Sequence, residues 1–328
     1  MNRRNILMLS MICLLAICAP APGFAQPLTS RTATANSYLD RGNAWYARGE
    51  YERAIADYDL AIASDPNGAN AYYNRAITRY QIKDYERTLA DFDRALQLNP
   101  RFVEAYVDRS GLRFLLGDND GALSDSNKAL ELNPRLAEAW GNRGIARMRK
   151  NDFTGALADF DHAIRLNPNR AEIWNNRGVA RFRTGNVSGA LSDQTRAIRL
   201  SPDFHEAWSD RGAARQASGD LDGALADYNQ ALALDPRYAN TWFNRATCWK
   251  ARGNLRQAEV DFTQAIELKP RHPDTWAQRG LVRLLAGRAE DAQQDFDQCL
   301  QLNPGLRQSL EQLIQEAQRQ MARRSPLP

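Results

Sequence analysis

A proline returns every 34 residues along most of this chain, at Pro66, Pro100, Pro134, Pro168, Pro202, Pro236, Pro270 and Pro304. No insertion or deletion breaks the interval. A constant period of this size is the mark of a structure built by stacking one small unit, and it takes precedence over every other reading. It also overrides the length prior: 328 residues would suggest two or three globular domains, but a stacked array grows without a single large core.

The units run 35–68, 69–102, 103–136, 137–170, 171–204, 205–238, 239–272 and 273–306. In each, apolar or small residues at positions 4, 8 and 10, and again at 20, 21, 24, 27, 28 and 30, follow the three-and-four spacing of two amphipathic helices. The pairs Gly117-Asp118, Asn151-Asp152, Gly185-Asn186, Gly219-Asp220 and Gly253-Asn254 separate them. Glycine can close the first helix in a left-handed conformation, and Asp or Asn can cap the second. The proline ends the second helix. Residues 26–34 read as a polar lead-in. Residues 307–328 read as a capping helix and tail, with Leu306, Leu310, Leu313, Ile314, Ala317 and Met321 on one face.

In the fourth unit the recurring positions are Trp140, Gly144, Ala156, Phe160, Ala163 and Pro168. This pattern resembles the tetratricopeptide repeat, whose 34-residue helix–turn–helix unit shows the same aromatic, small, alanine, aromatic, alanine and proline order. The resemblance covers 35–306 in eight units of an Asn-Arg-Gly type, as in Asn142-Arg143-Gly144 and Asn176-Arg177-Gly178. It implies an all-α, right-handed superhelical solenoid. Arginine stands at position 7 in all eight units, where the family carries leucine, and position 24 departs from an aromatic at Ser126 and Gln194.

Arginine at position 7 is matched by aspartate at position 23 throughout, as in Arg143 with Asp159 and Arg177 with Asp193. In an antiparallel hairpin these positions sit at similar heights, so a structural ladder of ion pairs is expected. The alternative, an arginine-lined anion site, requires free guanidinium groups.

Residues 1–25 carry the design of a secretory signal peptide. Arg3 and Arg4 precede an apolar run from Ile6 to Ala19, and Gly23-Phe24-Ala25 supplies small residues for cleavage after Ala25. An uncleaved anchor, a twin-arginine route and lipidation at Cys18 are weaker alternatives. The expected address is periplasmic or secreted. Of the four cysteines, Cys13 and Cys18 would leave with this segment, and Cys248 and Cys299 fall at core-facing positions as buried thiols.

The charge balance is nearly even, with 43 basic and 39 acidic residues. RNA binding needs a basic face, so an RNA-binding helical repeat is a poor fit. His162, His205 and His272 share no spacing with Cys, Asp or Glu. Metal, phosphate-loop and nucleophile motifs do not occur, so neither catalysis nor a cofactor or metal is expected.

Under the resemblance, the first helix of each unit lines a concave groove, with positions 2, 5, 6, 9, 12 and 13 facing ligands. Position 6 then offers Asn74, Asp108, Asn142, Asn176, Asp210 and Asn244 to a peptide main chain, because an amide both donates and accepts. Position 12 adds the apolar stripe Tyr46, Tyr80, Phe114, Met148 and Phe182, and position 2 adds acids including Glu138 and Glu172. The expected function is an exported protein–protein interaction scaffold holding an extended or helical peptide segment in that groove. A scaffold for envelope or polysaccharide assembly is the alternative, by family analogy alone.

Overall fold

A computed structural model describes residues 30–324. The expected leader, the start of the lead-in and the last four residues of the tail lie outside them. Every regular element among the described residues is helical. The described residues divide into two compact units, 30–176 and 177–324.

The first unit contains the antiparallel pairs α1 (Ser30–Ala47) with α2 (Tyr51–Ser64), α3 (Ala69–Gln81) with α4 (Tyr85–Leu98), α5 (Val103–Leu116) with α6 (Asn119–Leu132), and α7 (Ala137–Arg149) with α8 (Phe153–Leu166). The division falls within α9 (Ala171–Arg183). The second unit continues with α10 (Val187–Leu200), α11 (His205–Ala217), α12 (Leu221–Leu234), α13 (Ala239–Ala251), α14 (Leu255–Leu268), α15 (Pro273–Leu285) and α16 (Ala289–Leu302). A 3₁₀ turn at Pro304–Leu306 then leads into α17 (Arg307–Arg324). Helix α1 begins at Ser30, so part of the expected lead-in extends the first helix upstream.

Each hairpin turns on position 15, which has positive φ in all eight units. Glycine occupies six of these sites, and Lys83 and Asn151, both at φ 63°, occupy the others. In six hairpins the next residue, Asp or Asn, caps the second helix: Asp118 accepts from the Gly121 backbone N–H at 2.8 Å, and Asp152 from that of Gly155 at 2.8 Å, whereas Glu50 and Arg288 make no such bond. At the far end each proline does more than stop a helix. From Pro134 to Pro270 its carbonyl accepts the indole N–H of the tryptophan six residues on, as from Trp140 to Pro134 and from Trp242 to Pro236, both at 2.8 Å. That bond fixes the short link into the next hairpin.

Alanines and an aromatic fill the inside of each hairpin. Ala156, Phe160 and Ala163 are fully buried. Opposite the ring, position 8 must be small: a Cβ on Gly144 would lie 2.7 Å from the Phe160 ring. Where position 24 is not aromatic, polarity enters the interior. Ser126 turns its hydroxyl back to the Ala122 carbonyl at 2.8 Å. Gln194 is buried with its side-chain oxygen unbonded.

In the second unit α17 lays Leu310 and Ala317, both buried, and Ile314 and Met321 against a cluster containing Ala277, Leu281 and Phe296. Leu313, expected on the same face, is exposed. The buried stripe steps by four, three and four residues from Leu310 to Met321, which leaves Leu313 on its shoulder. Cys248 and Cys299 are both buried free thiols.

Candidate binding surface

The position-7 arginines are fully engaged. Arg143 grips Asp159 with two parallel bonds, Nε to Oδ2 at 2.9 Å and Nη2 to Oδ1 at 2.8 Å. Arg177 holds Asp193 in the same fork at 2.9 and 2.7 Å. A second arginine at position 11 adds a third bond, from Arg147 to Asp159 and from Arg181 to Asp193, both at 2.9 Å. The fork leaves one guanidinium nitrogen free to cross to the preceding hairpin, where Arg143 reaches Asn127 at 3.0 Å. The guanidinium also lies 4.5 Å from the Trp140 ring. Asp159 is 1% exposed, so this is a desolvated network of charge-assisted bonds. With these groups committed, the anion-site alternative loses its basis. In the first hairpin, the hydrogen bond from Arg41 holds the Asp57 carboxyl below its ordinary range.

The position-6 row behaves differently from its sequence expectation. Asn74, 9% exposed, gives its amide to Asn43 at 2.8 Å. Asn142 donates to the Ser110 hydroxyl at 2.8 Å and the Val107 carbonyl at 3.1 Å. Asp108, 4% exposed, accepts from the Tyr73 hydroxyl at 2.7 Å. Asn176 is buried, and Asp210 and Asn244 are half-buried. Asn74, Asp108 and Asn142 thus bond across the seam between successive first helices, and there these side chains sew repeat to repeat.

The apolar row at position 12 is likewise partly withdrawn. The Tyr46 ring lies 5.7 Å from that of Tyr51, and the Tyr80 ring 5.6 Å from that of Tyr85. Phe114 is half-buried under the Arg149 guanidinium, 5.1 Å from its ring. Met148 is buried and belongs to the core. Phe182, in the second unit, is half-buried. At the ends of the first helices in the first unit, the exposed apolar groups are instead Ile82, Leu115 and Leu116, at 40%, 45% and 48% exposure, while Leu60 and Leu166 are exposed on second helices. The run Phe114-Leu115-Leu116 carried that signal, since three consecutive apolar residues on a helix cannot all face one core.

Acidic groups concentrate at the starts of the first helices. Glu104 is exposed, and Glu138 and Glu172 share the Arg170 guanidinium at 2.8 and 3.5 Å. Burial pushes the Asp108 carboxyl up to about 7 against the pull of the Tyr73 bond, and the charges of Glu104 and Glu138 add to the rise. In the second unit, burial also pushes Glu206 up to about 7, with Asp210 and Asp235 adding to it. The His205 imidazole lies 3.1 Å from Glu206 and is pushed down by burial. Among the described residues no group of three or more His, Cys, Asp or Glu side chains is placed to hold a metal ion. No described helix is long and apolar enough to cross a membrane.

Tandem helical hairpins with a committed interior and a chemically varied surface define a helical-repeat interaction scaffold, a class that is generally non-catalytic. Tetratricopeptide repeat family models match residues 142–205, residues 42–83 and 216–247, and residues 69–102 and 239–272. Together they cover more than half of the chain. The chain belongs to the tetratricopeptide repeat family, whose fold serves protein–protein interaction.

Among solved structures, the chain is similar to the APC/C hetero-tetramer Cut9–Hcn1, with a TM-score of 0.68 at 14% identity over 88% of this chain and 57% of that one. It therefore spans little more than half the length of that relative. It is also similar to a tetratricopeptide repeat protein from Parabacteroides merdae, with a TM-score of 0.63 at 18% identity over 76% of this chain and 99% of that one. A search of curated protein sequences finds no match.

Proposed function

We propose that this chain is an exported scaffold that captures a basic segment of a partner protein on the first-helix face of its repeats. The carrying observation is the row of carboxylates in the first unit. Glu104, Glu138 and Glu172 come from successive first helices, and the last two share one guanidinium. Asp108 lies among them with a carboxyl whose ionisation is opposed by burial and by its acidic neighbours. A lysine or arginine brought to this row relieves that repulsion, so the site gains more from a cation than an isolated surface acid does. Exposed Leu115 and Leu116 and half-buried Phe114, in the same unit, are the apolar contacts available to the same class of segment. Asn74 and Asn142 are not among these contacts, because their amides are spent between repeats.

Binding of fluorescein-labelled peptides of matched length, one lysine-rich and one glutamate-rich, tests this reading. The basic peptide should bind, and Glu104→Lys with Glu138→Lys should weaken it at least tenfold at low salt, where charges are least screened. Phe114→Ala should weaken it further without loss of helical circular dichroism. Equal binding of both peptides, or no effect of the charge reversals, rejects the reading.

The export part rests on Arg3, Arg4, the apolar run and Gly23-Phe24-Ala25. The purified protein should begin at Gln26. Retention of Met1, or a lipid on Cys18, would overturn the proposed periplasmic or secreted address.

A further inference from the structure

At the end of the first repeat, one side chain is missing from a place that every later repeat fills. Position 34 is Gly68 in the first repeat, whereas the others carry Phe102, Leu136, Phe204, Tyr238 and Leu306, with Arg170 and His272 in the remaining two. The backbone does not demand glycine here: Gly68 has φ −75° and ψ 91°, open to any residue. Nor does packing, since a Cβ would meet its nearest atom, the Asp65 carbonyl oxygen, at an ordinary 3.4 Å. The result is a cavity of about 210 Å³ lined by Ala35, Asn36, Leu39, Ala61, Asp65 and Gly68–Ala71.

The other repeats show what this space is shaped to hold. Position 34 packs on positions 1 and 5 of its own unit, the places of Ala35 and Leu39. Tyr238 meets His205 at position 1 edge-on with ring centres 4.9 Å apart, and Phe102 lies 4.6 Å from Tyr73 at position 5. A polar tip reaches the position-2 residues of its own and the next unit, the places of Asn36 and Asn70. Arg170 bonds Glu138 there at 2.8 Å and approaches Glu172 at 3.5 Å. The Tyr238 hydroxyl shares a hydrogen bond with Asn240, the counterpart of Asn70. The vacant socket therefore has alanine and leucine walls of the kind that take a ring, and two amides where Tyr238 finds its own phenol partner.

We propose that the Gly68 socket is a binding site for a tyrosyl side chain presented by a partner polypeptide, with the phenol hydroxyl bonded to Asn70 or Asn36. The flanking Asp65 carboxylate disfavours an acidic occupant and leaves a neutral phenol as the match. This site stands apart from the carboxylate row, and its test does not depend on that reading.

The probes are p-cresol, the tyrosine side chain itself, and toluene, the phenylalanine side chain, each titrated into the ¹⁵N-labelled full chain. p-Cresol should give saturable shifts at the amides of Ala35, Leu39, Gly68 and Ala69. It should bind about fivefold tighter than toluene, because the socket offers its hydroxyl a hydrogen bond. Gly68→Tyr should fill the socket from within, abolish the shifts and raise Tm. Asn70→Ala should retain the fold and erase the advantage of p-cresol over toluene, which keeps the test decisive if Gly68→Tyr does not fold. Absence of saturable shifts in the parent overturns the proposal. So do equal affinity for the two probes in the parent and shifts that persist in Gly68→Tyr.

Discussion

Asp108 shows how one residue in this fold answers to pH. Its folded carboxyl titrates near 7, against about 3.9 in an unfolded chain. The native state therefore holds a proton that the unfolded state has released between these values, so stability falls as pH rises from about 4 to 7 and levels off above. Burial sets this shift, the Tyr73 bond opposes it, and the charges of Glu104 and Glu138 add to it. Asp108→Asn should raise stability by roughly 2–4 kcal/mol at pH 8 and change it little at pH 4.5. Urea unfolding at the two pH values measures the difference, and an equal effect at both would remove the titration argument. A second residue-scale consequence concerns the unaromatic interiors. Gln194 faces Gly178, as the aromatic rings face glycine elsewhere, so Gln194→Phe should stabilise by about 1–2 kcal/mol by removing an unbonded buried oxygen and filling apolar space. Ser126 faces Ser110 instead, so Ser126→Phe should be tolerated only together with Ser110→Gly. Thermal scans of the single and paired variants check both.

At the scale of the element, each hairpin is held by its arginine fork as much as by its alanine and aromatic seam. Removing Arg143 leaves Asp159 buried with Arg147 as its remaining cation. Arg143→Ala should therefore cost roughly 3 kcal/mol, the lower end for breaking a buried pair. A cycle with Asp159→Ala should be non-additive by more than about 0.5 kcal/mol; additive losses would mean the fork carries no pairing energy. Acid should weaken the first hairpin, because Asp57 is held ionised by Arg41 and its contribution is lost as pH falls through its depressed pKa. The hairpin and its fork were readable from sequence, since positions 7 and 23 recur together and a 34-residue period fixes where the turn lies. The fate of position 6 was not readable. A helical wheel states which way a side chain leaves its own helix, but not that the neighbouring first helix stands in its path. Met148 was lost to the core for the same reason. The turn at Lys83 was hidden because only φ 63° marks it, and lysine is not a residue that announces a left-handed turn. Gly68 was visible as a departure at position 34 but could be weighed only once the walls around it were known.

For the whole molecule, repetition means that stability is a sum over hairpins and the seams between them. The uneven hairpin interiors in this chain, with Ser126 and Gln194 in place of rings, should make unfolding proceed unevenly along it. Hydrogen exchange should find amides near α6 and α10 opening before those near α8 and α14, which enclose Phe160 and Phe262. Uniform protection across the repeats would show that the seams compensate.

Helix α17 gives the last of these seams a different meaning. It covers Ala277, Leu281 and Phe296, a surface of the kind that every other hairpin offers to its successor. A stack of identical steps contains no internal instruction to stop, and a second copy could supply the next step as readily as the same chain. Such head-to-tail contacts do not close on themselves and propagate as fibres. By turning Leu310, Ile314, Ala317 and Met321 onto that surface, α17 withdraws it from any such contact.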